Sequence, residues 1–463
     1  MSRGRRPERA AFDRRQWYGS GAGAGQDTGI IFESQLLTTL VPQQGGGDRT
    51  PTFTRATTAT VMGYASDAVA GASQVLLTVA SGEARFQGAR RVSEGVWSAI
   101  LDDGSYIPTA DLKGYLAEGA RTNSILQSNT LGTTWTISNA ADMEAVSADQ
   151  YVSVDGATTM DKLQPKATTA VHSLDQAFTF TAAKYTCAAD LRYVAATPQR
   201  WVALILNDGT TTWGASFDLL NGVVGVVSAG ATSGIETTGQ ANVYRVWVTN
   251  TANAAAAAGT VKISLNATDT ATLESAARAG TETLGAGMVQ LEVGEFKSSR
   301  ITTTTVAVAR NADVLTYAFI GNANSAVGAC YAEVTYAADK NFNMFVATNT
   351  VQATGAMLYG SALAELLLVD SANQISAVGA TMVPGATVQK IASSWGPSGV
   401  APIFARNGTG YTGSPTFSGN IGSTILAIGT RSAADDETIF GTIRNVRIYS
   451  RALSDAQLQA MTS

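Results

Sequence analysis

Residues 444–461 read RNVRIYSRALSDAQLQAM, and this stretch decides the fold class. Val446, Ile448 and Ser450 alternate with Arg447, Tyr449 and Arg451, which is the period of a strand. The alternation stops at Ser454, where S-x-x-Q sets Gln457 three residues on. In such a capping box the hydroxyl and the side-chain amide each satisfy a backbone N–H that the helix itself leaves unpaired. The spacing predicts a short helix whose apolar set is Leu453, Leu458 and Met461.

Working outward, the same strand-and-turn style fills most of the chain. Only 14% of the 463 residues are charged, against roughly 25% in an average soluble domain. Long helical surfaces need Lys and Glu, whereas short strands joined by Gly and Asn turns do not, and the chain holds 46 Gly. The expected class is all-β: two tandem antiparallel β-sandwiches of jelly-roll or lectin-like type, preceded by an extended N-terminal anchoring arm. Residues 1–50, with six Arg in the first fifteen and Gly-rich joints, form the arm. Residues 51–125 read as a short-strand connecting region, 126–317 as the first sandwich and 318–463 as the second. NAAAAAG at 253–259 is helical by propensity, but its place between two strand runs makes it a hairpin loop.

Net charge is −5, which argues against a general nucleic-acid binder. No apolar run is long enough to span a membrane, so no insertion is expected, and the Arg-rich start lacks a signal-peptide core. Cys187 and Cys330 are too few and too far apart for a disulfide framework. The one His, His172, has no orienting group near it in sequence and reads as a solvated or hydrogen-bonded side chain. Glycoside cleavage would need two opposed carboxylates, and Glu118, Glu292, Glu295 and Asp218 are available without any spacing that singles out a pair. SAADDET gives Asp435 and Asp436, either a solvated acidic loop or a weak calcium site. No cofactor is expected.

Two longer patterns carry a resemblance. GYLAEGARTNSIL, followed by MVQLEVGEFKSSRITTTTVAVARNADVL, is similar in order to a group of tailed-bacteriophage virion proteins. In those proteins a particle-associated N-terminal region leads into a jelly roll like a carbohydrate-binding module. IASSWGPSGVAPIFARNGTGY, with FGTIRNVRIYSRALSDAQLQAM, resembles a concanavalin A-like or laminin G-like sandwich, in which the last strand lies beside the first and the helix covers one end of the core. Asn445 stands where many relatives carry an acidic residue. The resemblance implies a fibre, spike or decoration protein located on the virion and displayed there. It also implies capsid or tail proteins as partners, a homo-oligomer with a trimer favoured, and binding of host-surface glycan. Alternatives from other classes are an architectural adaptor without ligand and a polysaccharide depolymerase.

Sugar binding by such sandwiches uses an aromatic plane for C–H groups with polar side chains beside it. Trp395, Arg406, Tyr411 and Trp213 are the candidates, set among Gly, Ser, Asn and Thr, with Trp135 similar. In YRVWV, Tyr244, Val246 and Val248 share one face, which leaves Trp247 with Arg245 on the other. Arg90 and Arg91 read as structural. For particle anchoring the candidates are Arg5, Arg6, Arg14, Arg15, Trp17 and Tyr18, a cationic and aromatic set suited to an acidic protein surface.

Overall fold

The computed structural model describes residues 29–463 except 139, 275–276, 338–341, 349–354, 362–364, 373, 384, 423 and 431–437. Arg5, Arg6, Arg14, Arg15, Trp17, Tyr18, Asp435 and Asp436 lie outside the described residues. The fold is all-β, with antiparallel sheets stacked as two sandwiches.

The strand Gly441–Tyr449, expected from its alternation, is the centre of one sandwich. On one side it pairs with Gly328–Tyr336, in register Cys330 to Ile448. On the other it pairs with Ile30–Ser34, in register Phe32 to Ile448. Gly114–Ala117 joins it as well, with Ile443 opposite Tyr115. The facing layer includes Thr52–Thr54, Val314–Tyr317 and Leu426–Ile428, paired in that order. Between the layers Phe32, Ile391 and Ile448 meet Leu315, Phe345 and Ile428. Val61, Phe86, Trp97 and Tyr115 extend the same core. Thus the described residues of 30–117 and 308–463 build one body around this core.

The chain leaves this body after Arg121–Asn123 and returns at Val308–Arg310, and these two short strands pair with each other. The segment between them is a second sandwich of two six-stranded sheets. Inward residues such as Cys187, Leu204, Val246, Val248 and Ile263 form its core. The two sandwiches are therefore nested, the second inserted within the first. Strand alternation reports which residues face inward but not which distant strands pair, so the nesting is absent from the local pattern. The expected hairpin at 253–259 is instead a crossing between sheets. Val243–Asn250 pairs with Tyr185–Tyr193, whereas Ala258–Asn266 pairs with Ser173–Thr179 and Trp201–Asn207.

The final helix runs Asp455–Thr462 with the capping box formed: the Gln457 amide N–H donates to Ser454 Oγ at 3.4 Å and the Ser454 N–H to Gln457 Oε1 at 3.0 Å. It covers the outer face of the sheet rather than an end of the core. Leu453 and Leu458 pack with Ala329, Tyr331, Ala392, Ala405 and Tyr449, the side chains that alternate outward from the main core. The three Ala leave room for the helix to approach. Gly410 lies beneath its first turn, where the Asp455 and Gln459 side chains lean over it.

Candidate functional site

The resemblance-bearing stretches meet where the sandwiches join. Asn123 is buried and fills all its hydrogen-bonding capacity with backbone: its amide donates to the carbonyls of Val289 (3.0 Å) and Ile301 (2.7 Å), and its oxygen accepts from the N–H groups of Ile125 (3.1 Å) and Leu291 (3.0 Å). Beside it lies a buried ionic cluster. Arg85 donates to Glu118 (2.8 Å), Ser299 Oγ (2.8 Å), the Thr60 carbonyl (2.8 Å) and Asp313. Arg55 reaches Asp313 at 2.8 Å, and Arg310 reaches Glu118 at 2.9 Å. Burial penalises the Glu118 carboxylate, but Arg310, Arg85 and the Ser299 donors outweigh it and hold the pKa at about 2. Every arm of Glu118 is thus engaged, which ties residues of both sandwiches into a clamp.

Above the clamp the sandwiches leave an open cleft of about 420 Å³. Its floor is the outward face of Val243–Asn250, where alternation sets Arg245 and Trp247 opposite the core-facing Val246 and Val248. Gly234 faces Trp247 across the sheet, and a Cβ there would overlap the indole, so the ring lies flat along the sheet surface. Lys297 Nζ sits 4.8 Å from the ring centroid and 2.8 Å from Glu236 Oε1. The Glu236 side chain is 46% exposed. Partial burial opposes its ionisation, but the Lys297 ammonium prevails and holds the carboxyl below its ordinary value. Arg300 grips Asp190 with two hydrogen bonds, 2.7 and 2.8 Å, and so fixes the 298–300 segment on the sheet. The opposite wall, from the outer sandwich, is partly apolar through Met62, Leu76 and Leu116. An aromatic plane, an apolar wall and a mixed set of charged donors and acceptors suit a polyol with hydrophobic C–H faces.

The sequence candidates fall elsewhere. Trp213 is 4% exposed and Trp395 1%, each packed in the core of its own sandwich. Neither offers an open ring face to a sugar, and both are corrected to core residues; Trp135 is likewise buried. Their small polar neighbours are those of tight strand packing as much as of loops. Tyr411 is half-buried against the outer core and Arg406 lies on the neighbouring strand, in a different sandwich from Trp213. The candidate carboxylates are committed: Glu118 in the clamp, Glu292 to Ser298 and Gln290, Asp218 to Arg200 (2.7 Å) and Glu295 to Lys184 (2.6 Å). Arg90 pairs with Asp102 and Arg91 with Glu83. His172 is buried with Nε2 near Thr168 Oγ1 (3.0 Å) and the Lys166 carbonyl (3.1 Å), and burial lowers its pKa. Cys187 and Cys330 are buried, which raises both thiols far above the ordinary range and keeps them protonated. Among the described residues no group of three His, Cys, Asp or Glu is arranged to hold a metal ion.

The fold and cleft define a two-sandwich β protein with a ligand-sized groove at its junction. No protein-family profile matches the chain, and no curated protein does. Among solved structures, domain 4 of AbnA, a GH43 extracellular arabinanase from Geobacillus stearothermophilus in complex with arabinotriose, is similar at 14% identity, covering 36% of this chain and 81% of that one, with a TM-score of 0.27. A Bacteroides ovatus protein described as a candidate carbohydrate binding protein aligns at 11% identity over 63% of this chain and 79% of its own, TM-score 0.26. Domains LG4-5 of the mouse laminin alpha1 chain align at 10% identity over 62% and 89%, TM-score 0.22. At such scores these likenesses decide neither fold nor ligand, and the architecture rests on the strand pairing.

Proposed function

We propose that this protein is a non-catalytic, glycan-binding component displayed on a tailed-phage particle, and that its ligand enters the cleft between the sandwiches. The observation that carries the reading is Trp247 on the cleft floor, flanked by Lys297, Glu236 and Arg245 and faced by an apolar wall. The order of the EGARTN and SSRI…ARNAD stretches, the Arg-rich head and the low-charge β surface support the placement on a virion. The commitment of Glu118, Glu292, Glu295 and Asp218 to other partners favours binding over hydrolysis.

Glycan-array binding of the purified protein tests the site. Trp247→Ala should weaken the strongest hits by about thirtyfold, as for truncating an aromatic anchor. Binding that survives this substitution unchanged places the ligand elsewhere. An architectural adaptor is the second reading, favoured by the burial of Trp213 and Trp395, and an array without hits supports it.

A further inference from the structure

We infer that the cleft selects a sugar bearing a carboxylate, an acidic glycan of the hexuronate type; this rests on the glycan-binding reading above. Three cations, Arg245, Lys297 and Arg300, share the cleft side of the junction with Asp190 and Glu236, and Glu292 acts on Arg245 from behind while hydrogen-bonded to Gln290 and Ser298. Asp190 is already held by both nitrogens of the Arg300 fork, so it serves Arg245 poorly, at 3.5 Å. Arg245 is 2% exposed and lines the cleft, yet its Nη1 has no hydrogen-bond acceptor, while Nη2 makes only long contacts to Gln290 (3.4 Å) and the Ser298 carbonyl (3.5 Å). A buried guanidinium short of acceptors is costly, and a ligand carboxylate would remove the deficit.

The clamp behind the cleft does not supply the missing charge. There Arg55, Arg85 and Arg310 share Glu118 and Asp313, three cations to two carboxylates. With Glu292 included, these six cations face five carboxylates, a local positive excess of one in a chain of net charge −5. Glu236, half exposed, is the group an incoming carboxylate would displace from Lys297, and the cleft is larger than a small inorganic anion requires. A pyranose ring fills the remainder, with its C–H face on Trp247 and the Met62–Leu76 wall.

The test is titration calorimetry of the full chain with galacturonic acid tetramer, a neutral hexose tetramer and a sulfated hexose tetramer. Galacturonic acid tetramer should bind at least about tenfold more tightly than the neutral one, because a charge-assisted hydrogen bond is worth about that factor. Lys297→Gln should remove most of that advantage, whereas Glu236→Gln should preserve or increase it. Melting profiles of both variants identify any loss due to misfolding, and Arg245→Lys serves as the second cationic variant. Equal or tighter binding of the neutral tetramer, lost in Trp247→Ala, overturns the acidic selectivity and leaves the glycan site standing. Preference for the sulfated tetramer overturns the carboxylate assignment. Binding of none of the three, with an empty glycan array, overturns both.

Discussion

Glu118 and Arg85 are both buried, and each has a second ionic partner, Arg310 for Glu118 and Asp313 for Arg85. Replacing Arg85 by Met leaves Glu118 with Arg310 and Asp313 with Arg55 but takes donors from buried acceptors, and should cost about 1–3 kcal/mol, read as a drop in urea midpoint. The pH dependence has a definite sign. Folding depresses the Glu118 pKa from 4.5 to about 2, so its contribution is present above pH 4.5 and is lost as pH falls from there towards 2. Stability measured across that window should fall in the native protein, and Glu118→Gln should flatten this part of the curve. Equal slopes for the native protein and the Glu118→Gln variant would remove Glu118 from the clamp. The individual roles of such residues are poorly legible from sequence. Charge is scarce in the chain, yet Arg55, Arg85, Glu118, Ser299, Arg310 and Asp313 are scattered over more than two hundred and fifty positions, and only folding shows that they meet. Arg245 and Trp247 are the exception, since alternation alone sets them together on the face away from the core.

The final helix is an element whose support divides unequally between its cap and its packing. Leu458 is fully buried beneath it, and Leu458→Ala should cost about 2–5 kcal/mol, by lost burial and the cavity left behind. Ser454→Ala removes one capping interaction and should cost about 0.5–2 kcal/mol. Equal effects of the two substitutions in thermal melts would contradict a helix held by packing. Both the strand and the capped helix are plain in RNVRIYSRALSDAQLQAM because alternation and the capping box are local signals. The surface the helix covers is not plain, because it depends on which faces of Gly328–Tyr336 and Gly385–Trp395 point outward after the strands pair.

At the scale of the molecule, nesting makes Ile30–Ser34 part of the outer sandwich although its composition groups it with the Arg-rich head. Phe32, Leu36 and Leu37 are buried in the outer core. Deleting residues 1–50 should therefore lower the melting temperature of the outer sandwich sharply, while deleting 1–28 spares these side chains and should not. On the proposed reading, the 1–28 deletion should keep the cleft's ligand and fail to join particles; normal incorporation would remove the anchor from that segment. Two β-sandwiches were legible in the strand spacing, but the nesting and the cleft were not, since both arise from pairings between distant segments such as Arg121–Asn123 with Val308–Arg310. The central claim is that the junction cleft is the ligand site. It is tested most directly by a structure of the protein with the best array ligand bound. The expected result is a sugar ring over Trp247, within hydrogen-bonding distance of Lys297 and Arg245. A ligand ordered on any other surface, with the cleft unchanged, would contradict it.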